Sequence, residues 1–131
     1  MSVFRPALVA TLVVLAGCGQ EPVVCSAIGW SNGLTVRLAD DWPPGDGRTL
    51  SVDCGLFESC PEAVDGATAV PLVGGEAVLM LGFATPDDLT LRVSDATGVL
   101  TEHEADLGWT RVGGSEECGG PHEAEVVVPA P

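Results

Sequence analysis

Residues 29–33 read "GWSNG", a match to the nucleophile-elbow pattern G-x-S-x-G centred on Ser31. An elbow serine must stand on a sharp turn between a strand and a helix, exposed above a parallel sheet. Here "LTVRLAD" follows and alternates as a strand, while Asn32-Gly33 is a turn signal. Ser31 is therefore read as part of a turn. Histidine occurs at His103 and His122 alone, and Cys118 with His122 has a C-x3-H spacing. A zinc site requires three or four converging nitrogen, sulfur or carboxylate ligands, and Cys118 is lost to such a site if it enters a disulfide. In "TEHEAD" strand alternation puts Glu102, Glu104 and Asp106 on one face and His103 on the other, which describes a solvated carboxylate stripe. Asp40, Asp41 and Asp46 share one loop, and Asp87 and Asp88 another. Oxygen ligands on such loops can hold Ca²⁺, but the EF-hand spacing is absent and Asp is common in turns because it caps backbone amides. These residues lead us to expect no catalytic set, no metal site and no cofactor.

The three tryptophans carry more information. Trp109, in "LGWTRV", is expected to fill the core, and Trp30 to pack beside Cys25. Trp42 follows two aspartates and precedes Pro43-Pro44. It is either a free aromatic on a rigid loop, suited to a protein or glycan contact, or a ring folded back over the end of the domain. If the chain has a contact surface, the loop at residues 40–47, with Asp40, Asp41, Trp42 and Asp46, is where it is expected.

The five cysteines divide unevenly. Cys18 ends the apolar run at residues 6–17, which follows a short start whose single charge is Arg5. That run is too short to span a bilayer as a helix, which needs about 20 residues, and it has the layout of a secretory signal. Its last four residues, Leu15-Ala16-Gly17-Cys18, resemble the lipobox of bacterial lipoproteins. The resemblance covers residues 1–18. It implies cleavage before Cys18, a diacylglyceryl group on that cysteine (with palmitate-type chains), and anchoring at the extracytoplasmic face of the cell membrane. Two chains supply the stable anchorage that one does not. Cys25, Cys54, Cys60 and Cys118 remain, an even number in an oxidising compartment, so two disulfides are expected. Three connectivities are possible, and Cys54–Cys60 with Cys25–Cys118 is preferred.

Charge narrows the partners. All 19 acidic residues lie after residue 20, whereas Arg37, Arg48, Arg92 and Arg111 are the cations left once Arg5 is removed with the signal. Four against 19 gives a formal net charge of −15 for residues 18–131. Phosphate backbones and anionic headgroups repel such a surface, so nucleic acid is excluded as a partner. The chain has no Lys or Tyr and a single Ile, Asn and Gln, a bias suggesting a GC-rich genome. With the lipobox, this makes the remainder similar to the small lipoproteins of actinobacteria, a resemblance that carries no specific activity across.

Past the signal the sequence is punctuated by Gly, Pro, Asp and Asn between short β-rich runs. Strands are expected at "VVCSAIG", "LTVRLAD", "TLSVDC", residues 67–73, "AVLMLGFA", "DLTLRVSD", "VLTEHEADL" continuing through "GWTRV", and "AEVVVP". "AVLMLGFA" is apolar on both faces and is expected to be central. "DATG" is expected to be a hairpin turn, with positive φ at Gly98. The expected fold is all-β, an immunoglobulin-like antiparallel β-sandwich of seven to eight strands, with a small β-barrel as the alternative. The expected organisation is a signal peptide at 1–17, a lipidated tether at 18–24 and the sandwich at 25–131. The function expected is non-enzymatic: a lipid-anchored binding or envelope accessory domain whose partner is an envelope protein or glycan near the bilayer. The alternatives are a cell-wall hydrolase using surface carboxylates such as Glu102 and Glu104, or a structural subunit of a membrane complex.

Overall fold

The computed structural model describes residues 19, 21–53 and 69–131. Cys18, Cys54 and Cys60, and with them the lipidation site and the Cys54–Cys60 pairing, lie outside the described residues. The described chain is all-β, with eight strands: β1 (Gly33–Leu38), β2 (Thr49–Asp53), β3 (Ala69–Pro71), β4 (Glu76–Met80), β5 (Asp88–Asp95), β6 (Gly98–Asp106), β7 (Thr110–Arg111) and β8 (His122–Val128). They form two four-stranded sheets, ordered β4-β1-β8-β7 and β3-β2-β5-β6. Among the described residues each sheet has two edge strands and the sheets do not join, so the arrangement is the expected sandwich and not a closed barrel.

Alternation decides which side chains enter the core. Leu34 and Val36 of β1, Ala124, Val126 and Val128 of β8, and Ala77 and Leu79 of β4 point inward from the first sheet. Leu50 of β2, Leu89, Leu91 and Val93 of β5, and Ala105 of β6 meet them from the second. Burying one face and solvating the other fixes register, because a slip by one residue would turn every apolar side chain outward.

Three expectations are corrected. β1 runs parallel to β8, Gly33 opposite Glu123 through Leu38 opposite Val128, so the first sheet is mixed. The two strands lie at opposite ends of the sequence, and so long a connection permits parallel pairing where a hairpin would not. "VVCSAIG" forms no strand. It lacks alternation, and both sides of β1 are already occupied by β4 and β8. Val23, Val24 and Ile28 are left exposed. β4 is not central either: among the described residues it pairs with β1 alone and is an edge, with Val78 and Met80 facing outward.

Two turns lie at the end of the sandwich reached by Leu38 and Thr49. The chain crosses from β3 to β4 through Gly74 and Gly75, with φ of 62° and 80°, between reciprocal Val73–Glu76 hydrogen bonds of 2.9 and 3.1 Å. Positive φ at both central positions is the primed turn that glycine favours. β5 and β6 meet at the expected hairpin, where Asp95 faces Gly98, which has a φ of 129°. There the Asp95 carboxylate accepts hydrogen bonds from the Thr97 amide at 2.7 Å and its hydroxyl at 2.6 Å.

Candidate functional site

β1 and β2 are joined by a loop at residues 39–48 that closes over one end of the sandwich. Its anchor is the Val128 carbonyl, which accepts the Ala39 amide at 2.9 Å and the Trp42 indole Nε1–H at 2.8 Å. Trp42 is thereby folded back and only 9% exposed. This decides its two readings: the free-aromatic contact is corrected, because the indole N–H finds its acceptor inside and the ring completes the core. The Arg48 guanidinium lies over that ring, 5.0 Å from its centroid, and Arg48 Nη2 donates to the Pro43 carbonyl at 2.6 Å. One arginine so holds Trp42 and Pro43 together at the start of the double-proline segment.

The β3–β4 turn stands opposite. Leu38 donates its amide to the Gly75 carbonyl at 2.8 Å, and Leu72 donates its own to the Arg48 carbonyl at 2.9 Å. Between loop and turn lies an open groove of about 490 Å³, whose walls include Asp40, Pro43, Pro44, Asp46, Arg48 and Gly74. Asp40, Asp41 and Asp46 are all exposed. With the arginine engaged by the Pro43 carbonyl and the indole face, the exposed charge of the loop is carboxylate. That arrangement suits a cationic or hydroxyl-rich surface better than an anionic one. Beyond it, the Asp95 carboxyl is held below the usual carboxylate range, first by the Thr97 hydroxyl and then by the Thr97 amide, with a smaller contribution from Arg48.

The other chemistry-bearing residues do not converge. Ser31 is half-buried and leads directly into strand β1, with no helix after it, so it cannot be an elbow. Cys118 is bonded to Cys25, with Cα atoms 5.3 Å apart, which removes it from any C-x3-H site. Glu102, Glu104 and Asp106 form an exposed stripe on β6, and Ala105 between the last two is buried. Glu102 is taken by Arg92 across the sheet, at 2.6 Å to Nη2. His103 is half-buried between Glu102 and Glu104, and His122 begins β8. Among the described residues no three His, Cys, Asp or Glu side chains are grouped to hold a metal ion. Trp109 is half-buried against the core and donates to the Pro86 carbonyl at 2.8 Å. Trp30 packs edge-on to Phe83, centroids 5.5 Å apart.

Sequence reasoning missed Asn32, the one buried polar side chain among the described residues, at 1% exposure. Its Nδ2 donates to the Ala84 carbonyl at 3.0 Å and its Oδ1 accepts the His122 amide at 2.8 Å, joining the entry of β1 to the β4–β5 loop and the start of β8. The Asn-Gly pair was the available signal, and it reads as a turn. The groove's second wall was missed too, since nothing local to "VGGE" places it beside the double-proline loop.

Compared with protein-family models, curated proteins and solved structures, the chain matches none of them.

Proposed function

We propose that this chain is a non-enzymatic, lipid-anchored binding or envelope accessory domain at the extracytoplasmic face of the cell membrane, and that its contact surface is the groove beside Trp42. The anchor rests on Leu15-Ala16-Gly17-Cys18. The contact surface rests on one observation: a groove whose walls are held in place by Arg48, the Val128 carbonyl and the Gly74-Gly75 turn. Rigid walls lower the ordering cost of binding, which favours recognition. The carboxylates of Asp40 and Asp46 suit a basic segment of an envelope protein or a hydroxyl-rich glycan.

The test places a photo-crosslinking residue at Asp46, in the groove, or at Glu104, on the β6 stripe, in full-length protein in native membranes. The expected result is an adduct from position 46 that is weak from position 104 and fades in an Asp40→Asn background. Equal adducts from both positions, or none from 46, would overturn the assignment of the groove. Hydrolysis of peptidoglycan or ester substrates that vanishes in Glu102→Gln or Glu104→Gln would replace the binding reading with the enzymatic one.

A further inference from the structure

We propose that the end of the sandwich opposite the groove rests on the bilayer, with Ile28, Trp30 and Phe83 seated at the level of the lipid headgroups. This rests on the reading of Cys18 as lipidated. β1 and β8 run the same way, from Gly33 and His122 at one end to Leu38 and Val128 at the other. The groove closes over the Leu38–Val128 end. The partners of Cys25 and Trp30, namely Cys118, Phe83 and the Gly119 turn, are at the Gly33–His122 end.

The Cys25–Cys118 bond fixes where that arm leaves the domain. Cys118 sits in a tight loop between β7 and β8. Its amide donates to the Ser115 hydroxyl at 3.1 Å, and the Ser115 amide donates to the Gly119 carbonyl at 3.0 Å. A side chain on Gly114 would overlap the Gly119 carbonyl, so the loop depends on glycine for its closure. From Cys25 to Cys18 the chain spans seven residues, at most about 25 Å when extended. The lipid anchor therefore holds this end, and not the groove end, against the membrane.

The surface it presents there carries exposed apolar side chains, beside the carboxylates of Glu116 and Glu117 in the Cys118 loop and of Asp87 and Asp88 at the start of β5. Val24 is 91% exposed, Ile28 80% and Phe83 70%. Phe83 stacks edge-on with Trp30, and the Trp30 ring lies against the Cys118 loop, where a Cβ on Gly119 would come within 3.1 Å of it. Aromatic side chains favour the membrane interface, where an apolar body and a polar edge are both satisfied. Grouped exposed apolar residues mark interaction surfaces. Carboxylates are exposed at both ends, but at the groove end the one described aromatic, Trp42, is turned inward. With a net charge of −15 for residues 18–131, adhesion comes from insertion of these side chains and not from attraction to anionic lipid.

The experiment uses full-length protein, processed in its own membrane, checked by intact mass and reconstituted in phosphatidylcholine vesicles. Tryptophan emission is compared with and without bromine on the upper part of the acyl chains. Emission is expected to fall with bromolipid, Trp30→Phe to remove most of that fall and Trp42→Phe to leave it. Phe83→Ser, a change at an exposed ring that spares the fold, is expected to reduce the quenching about twofold. Acylated protein whose emission ignores bromine, or quenching that survives Trp30→Phe unchanged, would overturn the proposal while leaving the anchor intact. A mass without acyl chains overturns the anchor and, with it, this placement.

Discussion

Trp42 is the keystone of the groove end, and its removal makes a graded prediction. Trp42→Phe keeps a ring beneath Arg48 and in the core but deletes the donor to Val128. The Val128 carbonyl retains the Ala39 amide, so no buried acceptor is orphaned. The loss is then a single hydrogen bond plus a small packing defect, about 1 to 2 kcal/mol. Trp42→Ala removes the whole 9%-exposed ring. Truncating a buried aromatic costs about 3 to 5 kcal/mol, and here Arg48 also loses its π face. The order wild type, Phe, Ala should appear in urea unfolding followed by the emission of Trp30 and Trp109. For a domain this size each kcal/mol lowers Tm by about 4 to 8 °C. An alanine variant within about 1 kcal/mol of wild type would refute the reasoning, because the loop would then close without its indole. So would equal losses for Phe and Ala, since the hydrogen bond alone would then account for the effect.

Two further outcomes follow from features at the two ends. Replacing Cys25 and Cys118 together by serine opens a link spanning 93 residues. A loss of about 2 to 4 kcal/mol in denaturant midpoint experiments is expected, toward the lower end because residues 21–32 contribute no strand and gain freedom in the native state once released. Asp95 supplies a pH dependence. Its folded pKa lies below the 3.8 of the free side chain, so its contribution is fully present above that value and is lost as pH falls through the folded value. Thr97→Ala removes the leading cause of the shift, and its urea midpoint should differ from wild type at pH 6 and converge with it in strong acid. A constant difference at every pH would assign the effect to packing instead.

The parts of the fold legible in the sequence are those whose information is local. Leu34, Val36 and Leu38 alternate with Thr35, Arg37 and Ala39, and β1 forms there. Leu89, Leu91 and Val93 mark β5 in the same way, and the "DATG" hairpin follows from Gly98. What failed was decided elsewhere in the chain. Val23 and Val24 have strand-forming side chains, but the segment does not alternate, and β1, the strand that follows it, is already paired on both sides by β4 and β8. "AVLM" looks central from its composition, and β4 is an edge because nothing pairs beyond it among the described residues. Trp42 could not be placed from "DDWPP", since its hydrogen-bond acceptor is 86 residues further on. The aspartates of the candidate site were legible as a loop. The groove was not, because Gly74 and Gly75 reach it only through the crossing from one sheet to the other.

The parallel pairing of β1 with β8 has a consequence in time. β1 lies between β4 and β8, so one half of its hydrogen-bonding capacity waits for residues 122–128. Until those residues are available, Leu34 and Val36 sit on an unfinished sheet and Trp42 lacks its acceptor. Contacts so distant along the chain slow folding, because loop-closure entropy is lost before they form. An N-terminal portion of this polypeptide therefore lacks both the strand that completes the first sheet and the acceptor that turns Trp42 inward, and the domain closes late.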